Sequence, residues 1–237
     1  MMAVIDHSRT YTRRSLRNIP HRRRLRDIRR CLIANGLPAR GVDKYVDFGC
    51  STGFLTRYVH QLVAPRRTFG LDRNAASLAR ACEQGSGFEY HCFDLNLRGA
   101  LPEGCRGAGL VTCFETLEHV GHLENAIDTI HDCLAIDGVG LLTVPIECGW
   151  RGAAKYLVKR VVFGDSLDEL SSDPDTQSAY RNSVLLGRRL GHFRRKKNSW
   201  STHFGFDYRD LEDLLLQRRI PFHAYSALTT RFIVLTG

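Results

Sequence analysis

The sequence predicts an α/β protein, a mostly parallel sheet with helices on both faces that ends in an antiparallel hairpin. From residue 44 onward, short apolar runs alternate with segments of about 10–12 residues that have helical periodicity, the pattern of βαβ units. The final two apolar runs are joined by too short a connection for a parallel crossover, so they pair antiparallel. Residues 146–206, between the fifth strand and this hairpin, break the rhythm with a helical insertion. At 237 residues the chain has room for one generous domain with such an insertion, and little for a second full domain.

Taken in order, residues 1–20 read as a flexible arm. Residues 21–34 carry Leu25, Ile28 and Leu32 at i, i+3 and i+7 with Arg between them. This predicts an amphipathic helix with a basic outer face, stopped by Gly36 and Pro38. Residues 1–40 thus form a basic arm and helix ahead of a domain over 41–237. KYVDFG is a strand entering a Gly-rich turn, GFLTRYVHQLV a helix and RTFGLD a second strand. NAASLARACEQ is a helix with Asn74 as its cap, GFEYHCFDL a third strand and GLVTCF a fourth. NAIDTIHDCLA is a helix ended by Asp137-Gly138, and GVGLLTVP the fifth strand. In the insertion, Trp150, Ala153, Ala154, Leu157, Val158, Val161 and Val162 make an apolar stripe, with Arg151, Lys155, Lys159 and Arg160 on or beside the other face. A polar loop with Pro174 follows, then a helix around Tyr180–Leu190 and the run Arg194-Arg195-Lys196-Lys197. Asp207 caps a last helix with Leu211, Leu214 and Leu215 inward, and IPFHAYSAL and RFIVLT form the hairpin.

Apolar residues at 43% and charged residues at 25% exclude a disordered or fibrous chain. No apolar run approaches the roughly 18–20 residues of a membrane span, and the first residues lack the apolar stretch of a secretory signal. A soluble, cytoplasmic protein is the expectation, although an Arg-rich start also fits an organelle transit peptide. The eight cysteines never fall as CxxC and read as reduced core thiols rather than disulfides or zinc ligands. The net charge of +9 is unevenly spread. Residues 1–40 hold eleven Arg against Asp6 and Asp27, residues 41–149 are net −6 and residues 150–206 net +6. An acidic core therefore carries basic attachments.

The strongest local signal is Asp47-Phe48-Gly49-Cys50-Ser51-Thr52-Gly53, a turn between a strand and a helix. Small residues there let backbone approach a ligand, and the helix start offers free N–H groups. Gly49-Cys50-Ser51-Thr52-Gly53 matches the G-x-S-x-G nucleophile elbow, yet that elbow needs strands ahead of it and here only a basic helix precedes. The dinucleotide fingerprint G-x-G-x-x-G fails, because Ser51 and Phe54 are not Gly. A third reading takes in the downstream strand ends: Asp72 closes the second strand, Asp94 the third, and Glu115 lies just past the fourth. Carboxylates at successive strand ends gather where open α/β sheets bind ligands, and one after the second strand suits a ribose diol.

With these residues in place, the sequence resembles the class I S-adenosylmethionine-dependent methyltransferases, most closely the small-molecule type with an LEHV motif. YVDFGCSTGFLT is similar to that family's first motif, FGLDRNAASLARA to the second, HCFDL to the third, GLVTCFETLEHV to the fourth and CLAIDGVGLLTVP to the strand-five motif. The resemblance covers residues 44–145, and HFGFDYRDLEDLLL looks like the helix before the terminal hairpin. It implies a Rossmann-like sheet of seven strands in the order 3-2-1-4-5-7-6, with the last strand antiparallel. It implies S-adenosylmethionine as cofactor, with Asp47, Gly49 and Gly53 around the methionine moiety, Asp72 on the ribose and Asp94 near the adenine. Ser51, Arg73, Leu95 and Glu115 complete that cofactor site. Ser51 departs from the family, which commonly has Gly there, and Asp137-Gly138-Val139-Gly140 replaces a frequent Pro-Gly-Gly.

Methyl transfer asks the protein to align the reactants, exclude water and remove a proton when the acceptor is a hydroxyl. His119, His122 and His203 are the candidate bases. His119 follows Glu118 in the LEHV motif and either takes the proton or fixes its loop by hydrogen bonding. His203 lies where the insertion returns to the domain. The insertion, after strand five, has the position of a lid; its basic helix suits packing on the domain or a seat on an anionic membrane, as for lipid-linked or quinone-like acceptors, and a small-molecule or glycan-linked acceptor is equally open. The fourth-strand segment lacks the Asn/Asp-Pro-Pro-Tyr pattern of base amine methylation. The clustered Arg and Lys keep a nucleic-acid acceptor as the rival reading, and a non-catalytic cofactor-binding module as a third.

Overall fold

A computed structural model describes residues 11, 18–85, 87–154, 170, 173–194 and 204–237 of the chain. Helix α1 (Ile19–Ala34) opens with Pro20 in its first turn, where a missing N–H costs nothing, and Gly36 at φ 68° follows its end. The domain continues as β1 (Lys44–Phe48), α2 (Phe54–Val63), β2 (Arg67–Asp72), α3 (Ala75–Glu83), β3 (Glu89–Cys92) and β4 (Ala108–Phe114). Then come α4 (Leu123–Cys133), β5 (Leu134–Pro145), α5 (Pro174–Leu185), α6 (Tyr208–Gln217), β6 (Phe222–Ala227) and β7 (Thr230–Thr236). Seven strands form one sheet in the order β3-β2-β1-β4-β5-β7-β6. Pairs among β1 to β5 are parallel, and β7 runs antiparallel to both β5 and β6, as the resemblance implies. Strand order reverses between β1 and β4, so a crevice opens at their carboxyl ends.

Alternation along each strand sends side chains to two cores. Val46 and Val111 join Ala126, Ile127 and Ile130 of α4 and Leu211, Leu214 and Leu215 of α6 on one face. Tyr45 and Leu110 join Ile28 and Leu32 of α1 and Val59 and Val63 of α2 on the other. Ile28 and Leu32 are fully buried, at about 1.5–3 kcal/mol apiece, so α1 is docked on the sheet. Asn74 caps α3 by accepting from the amides of Ala76 and Ser77, and Asp207 caps α6 by accepting from that of Arg209, both as expected. No helix among the described residues is long and apolar enough to cross a membrane.

Four expectations change. First, α4 stops at Cys133 rather than at Asp137-Gly138, and the chain passes directly into a twelve-residue β5. Pairing of β4 with β5 shifts register between Ala108 and Leu110, and a Cβ on Gly138 would lie 2.6 Å from the carbonyl oxygen of Ala108. That glycine serves a close approach of strands, not a helix stop. Second, α5 begins at Pro174, inside the expected loop, because Asp173 caps it and Pro tolerates the first helical position. Third, residues 149–154 are helical as expected, yet Trp150 is 76% exposed while Gly152 is buried against Glu147. Two residues on a helix are about 200° apart, so burying Gly152 turns Trp150 out. Of that stripe Ala153 is half-buried and Ala154 exposed; Leu157, Val158, Val161 and Val162, with Lys155, Lys159 and Arg160, lie outside the described residues, as do most of the N-terminal arm and the basic run after Arg194. Fourth, the outer face of α1 does not hold all its arginines. Arg22, Arg23, Arg26, Arg29 and Arg30 are exposed, whereas Arg24 is buried with Ile28 and Cys31.

Candidate active site

The turn after β1 winds through three left-handed residues, Gly49 (φ 76°), Ser51 (φ 49°) and Gly53 (φ 73°). The amides of Gly49 and Cys50 both donate to the carbonyl of Leu71 on β2, at 2.7 and 3.1 Å, which pins the turn to the neighbouring strand. A Cβ on Gly49 would collide with Thr116, and one on Gly53 would lie 2.6 Å from the Tyr90 hydroxyl. The left-handed backbone at Ser51 explains why glycine is the commoner residue at that position. Its N–H donates to Asp72 Oδ2 at 2.9 Å, a bond that helps hold the serine there.

The carboxylates at the strand ends each organise a loop. Asp72 Oδ1 also accepts from the Asn74 amide at 2.8 Å, so one side chain ties the Gly-rich turn to the start of α3. Asp94 accepts from both the backbone and side-chain nitrogens of Asn96, at 2.9 and 2.7 Å. Asn96 carries no motif signal in the sequence, yet it is buried and clamps two loops. Its Oδ1 accepts from the amides of Gly121 and His122, and its carbonyl accepts from Asn125. Glu115 stands at φ 47°, its amide donating to the carbonyl of Thr143 and its carboxylate 2.7 Å from the Arg24 guanidinium.

Asp47 lies at the floor, 2% exposed, accepting 2.6 Å bonds from the hydroxyls of Thr56 and Thr112. Burial pushes its pKa up to about 7; the two hydroxyls pull it down, and the charge of Asp72 adds to the rise. A raised folded-state pKa stabilises the fold fully below the unfolded value near 4, and that contribution is lost as pH rises through about 7. The neutral Asp47→Asn variant should therefore gain stability relative to wild type as pH climbs from 5 to 8. A difference in melting temperature that is flat with pH would show Asp47 ionising as freely in the fold as out of it.

One cavity of about 830 Å³ collects these groups. Asp47, Gly49, Ser51, Asp72, Arg73, Asp94, Leu95, Glu115 and His119 all line it. Gly53 does not; it sits behind the turn against Tyr90. His122 precedes α4 away from the lining, and His203 lies outside the described residues. Three lining residues come from the N-terminal region that reads as a basic attachment: Tyr11, His21 and Arg24. Arg24 had one visible signal, since it falls at i, i+4 and i+7 with Ile28 and Cys31, on the face that is buried. Burial disfavours its charge, but the neighbouring Glu115 carboxylate and Tyr11 hydroxyl more than compensate and hold its pKa above the usual value.

The fold has many relatives among solved structures. An S-adenosylmethionine-dependent methyltransferase from Clostridium acetobutylicum ATCC 824 superposes with a TM-score of 0.59 at 14% identity, over 90% of this chain and 89% of that one. The magnesium protoporphyrin IX methyltransferase from Synechocystis PCC 6803 with bound SAH gives the same TM-score and identity, over 96% and 91%. A complex described as DhpI-SAM-HEP has a TM-score of 0.58 at 16% identity, over 92% and 88%. Among curated proteins none matches. The family described as methyltransferase domain matches residues 20–170, well over half of the sequence and most of the cavity's lining, and this chain belongs to that family.

Proposed function

We propose that this protein is an O-methyltransferase, moving the methyl group of S-adenosylmethionine to a hydroxyl of a small-molecule acceptor. The observation that carries the reading is one cavity in which the turn residues Gly49, Cys50, Ser51 and Thr52 and the strand-end carboxylates Asp72 and Asp94 meet. Its volume of about 830 Å³ is that of a site for a nucleoside-sized ligand with space beside it. The tight turn, where a Cβ on Gly49 would strike Thr116, fits close approach of the cofactor. When bound, S-adenosylmethionine supplies a methyl group on a cationic sulfur that leaves readily. Asp72 would hold the ribose, Asp94 and Leu95 the adenine end, and Asp47 and Gly49 the floor beside the amino-acid part. Apolar Phe54, Phe114 and Val120 in the lining keep water out, and His119 at the β4 end takes the proton from the acceptor hydroxyl.

Thermal shift tests the cofactor. S-adenosylmethionine and S-adenosylhomocysteine should raise the melting temperature, and NAD and NADP should not; a shift with nicotinamide cofactors alone would falsify the assignment. Asp72→Ala should remove most of the shift, because a ribose diol loses a charged acceptor worth about 1.5–3 kcal/mol. Wild-type affinity in that variant would mean that the carboxylate serves only the two loop amides.

The exposed row Arg22, Arg23, Arg26, Arg29 and Arg30 on α1 favours a second reading, a nucleic-acid acceptor. It predicts that a fluorescent single-stranded RNA binds with a steep salt dependence that flattens when these arginines become Glu. Anisotropy unchanged by RNA at low salt removes this reading.

A further inference from the structure

We propose that the end of the cavity beneath α1 is a seat for a planar aromatic ring bearing a hydroxyl, a phenol, and that Tyr11 of the same chain fills it when no acceptor is bound. The proposal rests on reading the cavity as a methyl-transfer site. The Tyr11 ring is 9% exposed and lies flat on Phe54, with centroids 5.2 Å and planes 14° apart. His21 meets the same ring edge-on at 5.7 Å and 83°. The Tyr11 hydroxyl accepts a hydrogen bond from Arg24, which in turn pairs with Glu115.

Two features distinguish an occupied seat from an ordinary cavity wall. A buried tyrosine hydroxyl needs a polar partner, and this one finds it in a charged cluster at one end of a ligand cavity. Glu115 Oε1, in that cluster, is buried and makes no hydrogen bond among the described residues, so the site has acceptor capacity that the protein leaves unused. A phenol hydroxyl accepts from a guanidinium and donates to a carboxylate at the same time, while its ring takes the stacking face of Phe54. Charge selects in the same direction. Arg24 is paired with Glu115 at 2.7 Å, so a neutral hydroxyl enters without breaking the balance of that pair, whereas a carboxylate or an ammonium adds an unpaired charge beside it.

A resident side chain competes with the incoming ligand, lowering apparent affinity by the fraction of time the seat is free. The test titrates p-cresol, the tyrosine side chain as a free molecule, into the full chain saturated with S-adenosylhomocysteine, with toluene and benzoate as controls. Tyr11→Ala is expected to bind p-cresol at least tenfold more tightly than wild type, and at least tenfold more tightly than it binds toluene or benzoate. Tyr11→Phe keeps the ring and its packing but loses the Arg24 bond, so it covers a failure of the Ala variant to fold; its affinity should also exceed wild type. Equal p-cresol affinity in wild type and in the folded Tyr11 variants overturns the proposal, and so does equal affinity for toluene. Failure of S-adenosylhomocysteine to bind wild type overturns the methyl-transfer reading instead, which separates the two.

Discussion

His119→Ala should lower kcat by roughly 10²–10⁴ while leaving cofactor affinity within about twofold. An acceptor hydroxyl is a poor nucleophile with a proton to lose, and imidazole is the side chain suited to take it near neutral pH. The structure places His119 in a short helical turn, Leu117–His119, directly after β4, and in the lining of the cavity. Its backbone is held by a 2.9 Å bond from its amide to the carbonyl of Thr116. That bond does not depend on the ring, so it survives truncation to Ala. The assay uses a labelled methyl donor with an acceptor fraction from a cell extract, alongside calorimetry with S-adenosylhomocysteine. Partial recovery of the rate by free imidazole would tie the loss to proton transfer. A variant that melts early and binds cofactor poorly would make His119 a structural residue, and an unchanged rate would exclude it as the base.

The strand ends and the Gly-rich turn in the cavity were legible because each is a local feature. Strand, Gly-rich turn and strand-end acid are fixed by nearest-neighbour chemistry, so Gly49, Asp72 and Asp94 can be placed from periodicity and turn residues alone. The end of the cavity beneath α1 was not, because it is assembled by pairings between distant parts of the chain. Arg24 donates to Thr230 Oγ1, 206 positions away, and pairs with Glu115 on a third element. Among eleven arginines in the first 40 residues nothing but helical phase marks one of them as buried. The same limit explains the end of α4. Asp137-Gly138 has the composition of a helix stop, and only the approach of the Ala108 carbonyl shows that the glycine belongs to a strand. Glu115 illustrates the border between the two cases. Its position past β4 was readable, but it was expected on the cofactor, and its nearest charged partner is an arginine of the N-terminal helix.

Breaking that ion pair should be costly. Arg24→Met is expected to lower stability by about 3–5 kcal/mol, toward the lower end because the Glu115 side chain keeps 21% of its exposure. The loss comes less from the missing attraction than from what remains: a carboxylate in a largely dry cluster near Glu118, with its Oε1 already lacking a hydrogen bond among the described residues. Methionine keeps most of the arginine stem's volume, so packing against the sheet changes little. If leftover charge is the cause, neutralising the partner should repair it. The double variant Arg24→Met/Glu115→Gln should recover at least half of the loss, although Glu115→Gln alone is itself destabilising. Urea unfolding of the four proteins closes the cycle, and a coupling energy of about 1.5 kcal/mol or more is the expected result. Additive losses would mean that Arg24 stabilises the fold through its bonds to Thr230 and Tyr11, with the 2.7 Å pair contributing little.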